Sequence, residues 1–145
     1  MRRLLSISVL AAFGIVSVLT ASQAPQGTSM AGARANVSKS TVEGLVRDLA
    51  CPIQNLDSSP THFSLKCVKE CLKGGSPLVI LTKDGRLYFP ISTKMPDQDQ
   101  REELAPFVGK YVRANGFVFE RTSTQAIVIT EIQEMKEVQL TIDKE

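Results

Sequence analysis

Tryptophan is absent from the 145 residues, histidine occurs once, and aromatic side chains make up only 6% of the chain. One histidine offers little to Ser-His or multi-histidine chemistry. The Gly-x-Ser-x-Gly elbow, the phosphate loop and the dinucleotide fingerprint are also missing, so no common catalytic constellation is recognisable. Blocks of like charge are lacking too. Long apolar runs are confined to Leu4–Leu19, which excludes a polytopic membrane protein. Disorder throughout is excluded by the 43% hydrophobic content, and the length suits a single domain rather than a large enzyme.

What is present begins with an export signal. Met1-Arg2-Arg3 is basic, Leu4–Leu19 is apolar, and Thr20-Ala21-Ser22 supplies small residues for cleavage after Ser22. A signal peptide over 1–22 places the mature protein in the periplasm or outside the cell, with no stable membrane span left after cleavage. No cysteine follows the apolar core, so a lipid anchor is not indicated. Of 17 basic residues, Arg2 and Arg3 leave with the signal, and the remaining 15 balance 15 acids. A formally neutral chain with interspersed charges lacks the basic face that nucleic-acid binding requires. Residues 23–40, rich in Ala, Gly, Ser and Thr, read as a flexible linker to a domain over 41–136, and 137–145 as a polar tail that frays.

Within that domain, strand signals recur. Val42–Cys51 alternates imperfectly, with Gly44 suggesting a bulge or bend. Leu78–Leu81 and Leu87–Phe89 flank Asp84-Gly85, a two-residue hairpin signal. Lys110–Glu120 and Gln125–Met135 alternate more cleanly. A short helical segment near Arg101–Phe107 lies between the third and fourth strands, the usual position of the helix in a five-stranded OB-like barrel. The fold expected is therefore mainly β, an OB-like barrel with a second helix inserted after the first strand. An open α+β sheet with one packed helix is the alternative.

The inserted helix reads as Thr61–Lys73, with Ser59 as N-cap, Pro60 in the first turn and Gly74-Gly75 as the stop. At about 100° per residue, Phe63, Cys67 and Cys71 fall on one apolar arc, and His62 lies opposite. Both thiols are then expected to face inward, as inert thiols rather than exchange catalysts. Cys51, at the end of the first strand, is the third thiol. In an oxidising compartment it pairs naturally with either helical cysteine, whereas a Cys67–Cys71 bond within one turn is awkward. The sharper alternative is a metal site, in which Cys51, Cys67 and Cys71 grip a soft ion, copper or zinc, with His62 as a weak fourth candidate. Tyr111, Phe117 and Phe119 form an aromatic stripe, either a ligand platform or a surface buried beneath the inserted helix. Asp97 and Asp99 fit helix capping better than catalysis.

Three segments resemble small exported bacterial proteins with an OB-like barrel: GLVRDLAC, KCVKECLKGGSPLVILTKDGRLY and LAPFVGKYVRANGFVFERTSTQAIVITEI. The most specific elements are Cys67-x3-Cys71, Gly75-x-Pro77 and Asp84-Gly85. The resemblance implies fold and location, not an activity. Such relatives carry a histidine three residues before the first helical cysteine, where this chain has Ser64. Two functions follow as expectations. One is a non-enzymatic exported barrel, clamped by a Cys51 disulfide, that binds an envelope partner or small ligand. The other is a copper- or zinc-binding protein built on the three thiolates, and neither needs a resident cofactor beyond that metal.

Overall fold

The computed structural model describes residues 36–55 and 58–143. The predicted signal and most of the predicted linker lie outside them. Five strands close a barrel: β1 (Asn36–Asp48), β3 (Leu78–Thr82), β4 (Leu87–Pro90), β5 (Tyr111–Arg121) and β6 (Thr124–Glu134). Their order around the barrel is β1-β3-β4-β6-β5, closed by β1 against β5, with all pairs antiparallel except β4–β6. This is the OB-like architecture. The short α3 (Arg101–Leu104) sits between the third and fourth barrel strands. An excursion carrying α1 (Ala50–Gln54), β2 (His62–Phe63) and α2 (Leu65–Lys73) leaves between the first and second.

Strand β1 serves two neighbours, and glycine lets it do so. Gly44 pairs with Thr82 of β3 and with Val112 of β5, at the point where the strand passes from one partner to the other. A Cβ there would press on the Leu81 carbonyl and lie 2.9 Å from Ile80 Cγ2. On the neighbouring strand β5, Gly116 lies beside a register shift that leaves Thr130 without a partner in the β5–β6 ladder. Side chains alternating inward from these strands form the barrel core, among them Val42, Val46, Ile80, Val112, Ala114 and Ile127, with Leu104 of α3 plugging one end. A second cluster lies outside the barrel wall. There Phe63, Val68 of α2 and Met135 cover Leu45 and Tyr111.

Four local expectations are corrected. Strand β1 begins at Asn36, so 36–40 belong to the barrel rather than to the linker. It ends at Asp48, and Cys51 lies in the short helix α1. The β3–β4 connection is not a two-residue turn. Gly85 N–H donates to the Thr82 carbonyl at 3.0 Å and Gly85 has φ +80°, so 83–85 form a three-residue loop whose left-handed position glycine fills. Finally, the supposed fraying tail supplies β7 (Thr141–Ile142), which pairs in parallel with β2. Exposed polar residues hid a strand that needs only two backbone bonds, from Thr141 N–H to Thr61 O at 2.8 Å and from Asp143 N–H to Phe63 O at 3.1 Å.

Candidate metal centre

The start of α2 decides where its thiols go. Both Ser59 and Ser64 are competent caps, and Ser64 is the one used: its Oγ accepts from Cys67 N–H at 3.0 Å. Ser59 Oγ accepts instead from Thr61 N–H. Pairing with β7 and burial of Phe63 hold 62–63 extended, so the helix begins at Leu65. Without Phe63 on its wheel, the apolar arc recentres on Leu65, Val68 and Leu72. Cys67 and Cys71 then lie about 90–130° away from its middle. The inward orientation expected for them is thus overturned. Cys67 is exposed and Cys71 half-buried.

That rotation turns both sulfurs toward α1. Cys51 Sγ lies 3.0 Å from Cys67 Sγ and 3.8 Å from Cys71 Sγ, and all three fall within 4.8 Å of one another. All three are free thiols. Cys51 is positioned by Asp48, fully buried at the end of β1, whose Oδ2 accepts the Cys51 N–H at 2.8 Å. Ser76 Oγ accepts the preceding Ala50 N–H at 3.1 Å. Asp48 also faces the buried Arg47, with Nη2 to Oδ1 at 3.4 Å. Neither Asp48 nor Arg47 drew notice as a site residue in the sequence, although an aspartate three residues before Cys51 matches a helix-capping pattern.

Desolvation, then hydrogen bonds from Cys67 and Cys71, then the Asp48 charge push the Cys51 thiol up to about 12. Desolvation also raises Cys71. Cys51 and Cys71 therefore hold their protons at neutral pH, and binding a cation through them must expel those protons.

An ion bound by sulfurs at about 2.3 Å holds them roughly 3.8–4.0 Å apart. The Cys51–Cys71 spacing already meets this. The Cys51–Cys67 pair must open by slightly less than 1 Å, which an exposed side chain on a short helix can accommodate. A disulfide would instead need that pair to close to about 2.05 Å. Three converging thiols, the donor type preferred by Cu(I) and Zn(II), fit a soft ion.

His62 is not part of this group. It sits on β2, exposed, with Nε2 2.7 Å from Asp143 Oδ1. It shares with Cys51 and Cys67 the wall of a cleft of about 380 Å³. The aromatic stripe is divided. Tyr111 is buried at 3% exposure beneath the inserted excursion, Phe119 is half-buried, and Phe117 is 42% exposed on the outer face of the barrel beside Lys39 and Val128. Asp97 and Asp99 are engaged by backbone, accepting from Ser92 N–H at 2.6 Å and Arg101 N–H at 2.8 Å respectively. Among the described residues no helix is long and apolar enough to cross a membrane. Comparison with family models, curated proteins and solved structures found no match.

Proposed function

We propose that this chain is an exported, non-enzymatic OB-like barrel that carries one soft metal ion, Cu(I) or Zn(II), on Cys51, Cys67 and Cys71. One observation supports the choice of metal over simple packing: three sulfurs from two helices meet within 4.8 Å at the protein surface. A packing role would bury the thiols, and a single disulfide would need only two of them. The barrel is then a scaffold, and the excursion between its first two strands is the working part. The periplasmic or secreted location rests on the basic, apolar and small-residue pattern of 1–22, and the resemblance to exported barrels agrees with it.

The test is native intact mass of protein prepared from a periplasm under anaerobic conditions and loaded with zinc or Cu(I), followed by alkylation of the unfolded chain. One retained ion and three alkylated thiols are expected, and Cys67→Ser should lose the ion. A second reading is favoured by the 3.0 Å approach of Cys51 and Cys67: a disulfide-clamped barrel that binds an envelope partner or small ligand, with the exposed Phe117 face as its contact. Its signature is a mass short by two hydrogens and a single alkylatable cysteine.

A further inference from the structure

The cleft beside the thiols has a composition that core packing does not explain. Arg47 lines it at 2% exposure, its Nη1 donating to Ser58 Oγ at 2.6 Å and its Nη2 facing Asp48 at 3.4 Å. Its Nε is buried with no acceptor. Buried donors are almost always satisfied, and this one belongs to a residue that lines the cleft. In the lining of the same cleft, Asp143 is half-exposed and held through one oxygen by His62. The wall formed by Cys51 and Cys67 completes the cleft, whose volume of about 380 Å³ lies in the range of small-molecule sites.

Resting on the metal reading, with zinc in the cluster, we propose that this cleft seats a zwitterionic low-molecular-weight amino thiol whose sulfur is the fourth zinc ligand. Zinc takes four ligands, and three protein thiolates leave one position for an exogenous donor. The charges decide the class of ligand. Arg47 offers a donor to a carboxylate, and Asp143 offers an acceptor to an ammonium group. A simple anion would meet Asp143 and a negatively charged zinc–thiolate centre, against the single guanidinium of Arg47. A free amino acid bearing a thiol brings no net charge beyond that of its sulfur. As that sulfur bonds to zinc its thiol proton passes to solvent, and no electron changes hands. Such a ternary complex would let metal pass between a small-molecule thiol pool and the protein by stepwise exchange of sulfur ligands.

The experiment is anaerobic native mass spectrometry of the zinc-loaded full chain titrated with L-cysteine, cysteamine, 3-mercaptopropionate and L-serine. Retention of zinc before titration tests the metal reading separately. One L-cysteine per zinc protein is expected, with cysteamine and 3-mercaptopropionate each weaker by about tenfold or more, as loss of one charge-assisted contact implies, and L-serine absent. Asp143→Asn, at an exposed position, should weaken L-cysteine while leaving 3-mercaptopropionate unchanged. Arg47→Lys should weaken L-cysteine and 3-mercaptopropionate together. Equal affinity for L-cysteine and cysteamine, or removal of zinc with no ternary species, overturns the proposal even where zinc binding itself holds.

Discussion

Replacing Asp48, the last residue of β1, by alanine should do more damage than a single polar change in the excursion that follows it, and the reason is geometric. The carboxylate is fully buried and has two duties, accepting the Cys51 N–H at 2.8 Å and facing the Arg47 guanidinium at 3.4 Å. Loss of the first removes a capping bond worth about 0.5–2 kcal/mol. Loss of the second leaves a cation at 2% exposure without its carboxylate, the situation that costs about 3–5 kcal/mol when one partner of a buried pair is removed. The second effect dominates, so Asp48→Ala should cost about 3–5 kcal/mol, a large share of the roughly 5–15 kcal/mol that holds a domain of this size.

Urea unfolding of the reduced, metal-free protein measures it, with the midpoint falling and the slope unchanged. The double variant Arg47→Met, Asp48→Ala should recover much of the loss, because it removes the stranded charge as well. A cost below about 1 kcal/mol for Asp48→Ala, or a double variant as unstable as the two single losses added together, would refute the argument that the pair is electrostatically coupled.

Three further outcomes follow from the same structure. Gly116→Ala should destabilise the barrel by about 1–3 kcal/mol in urea despite the better strand propensity of alanine, because its Cβ would run into the Val128 carbonyl; an unchanged midpoint would deny the close approach. The Cys51 thiol, raised from 9.0 to about 12, is favoured by the fold in its protonated form; that contribution is complete below pH 9 and is lost as pH climbs toward 12. Metal-free protein should therefore lose stability over that window more steeply than Cys51→Ser, and parallel curves would contradict the assignment. Zinc loading reverses the preference, so it should release protons into a weakly buffered solution at neutral pH, readable with an indicator dye, and Cys71→Ser should abolish the release together with the binding.

The barrel was largely legible because its strands obey local rules. The small inward residues of β5, the β-branched run of β6 and the helix between β4 and β5 each say one thing, and all agree on one architecture. The excursion was less legible because its local signals compete. Ser59-Pro60 and Ser64 are both good helix starts, and only the pairing of His62–Phe63 with Thr141–Ile142, nearly eighty residues away, selects the later one. That choice moved Phe63 off the helix and turned Cys67 and Cys71 from the core toward Cys51. The sequence singles out the three cysteines, which the fold does bring together, but not the way they face. Asp143 carried no signal at all, since a polar tail residue becomes part of a cleft wall only through that pairing.

The separation along the chain of the contacts that make the barrel and those that make the thiol cluster implies an order of events. Closure of β1 on β5 joins positions 74 apart, as in the Thr41–Asn115 bond, whereas Cys51 meets its partners across 16 and 20 residues. Shorter loops cost less entropy and close sooner, while long-range pairing governs the slow phase of folding. A refolding chain should bring its sulfurs together before its barrel is sealed. Pulsed alkylation during refolding would then find Cys51 protected ahead of the β1–β5 amides, and an ion captured early would hold the excursion in place while the last strands find their register.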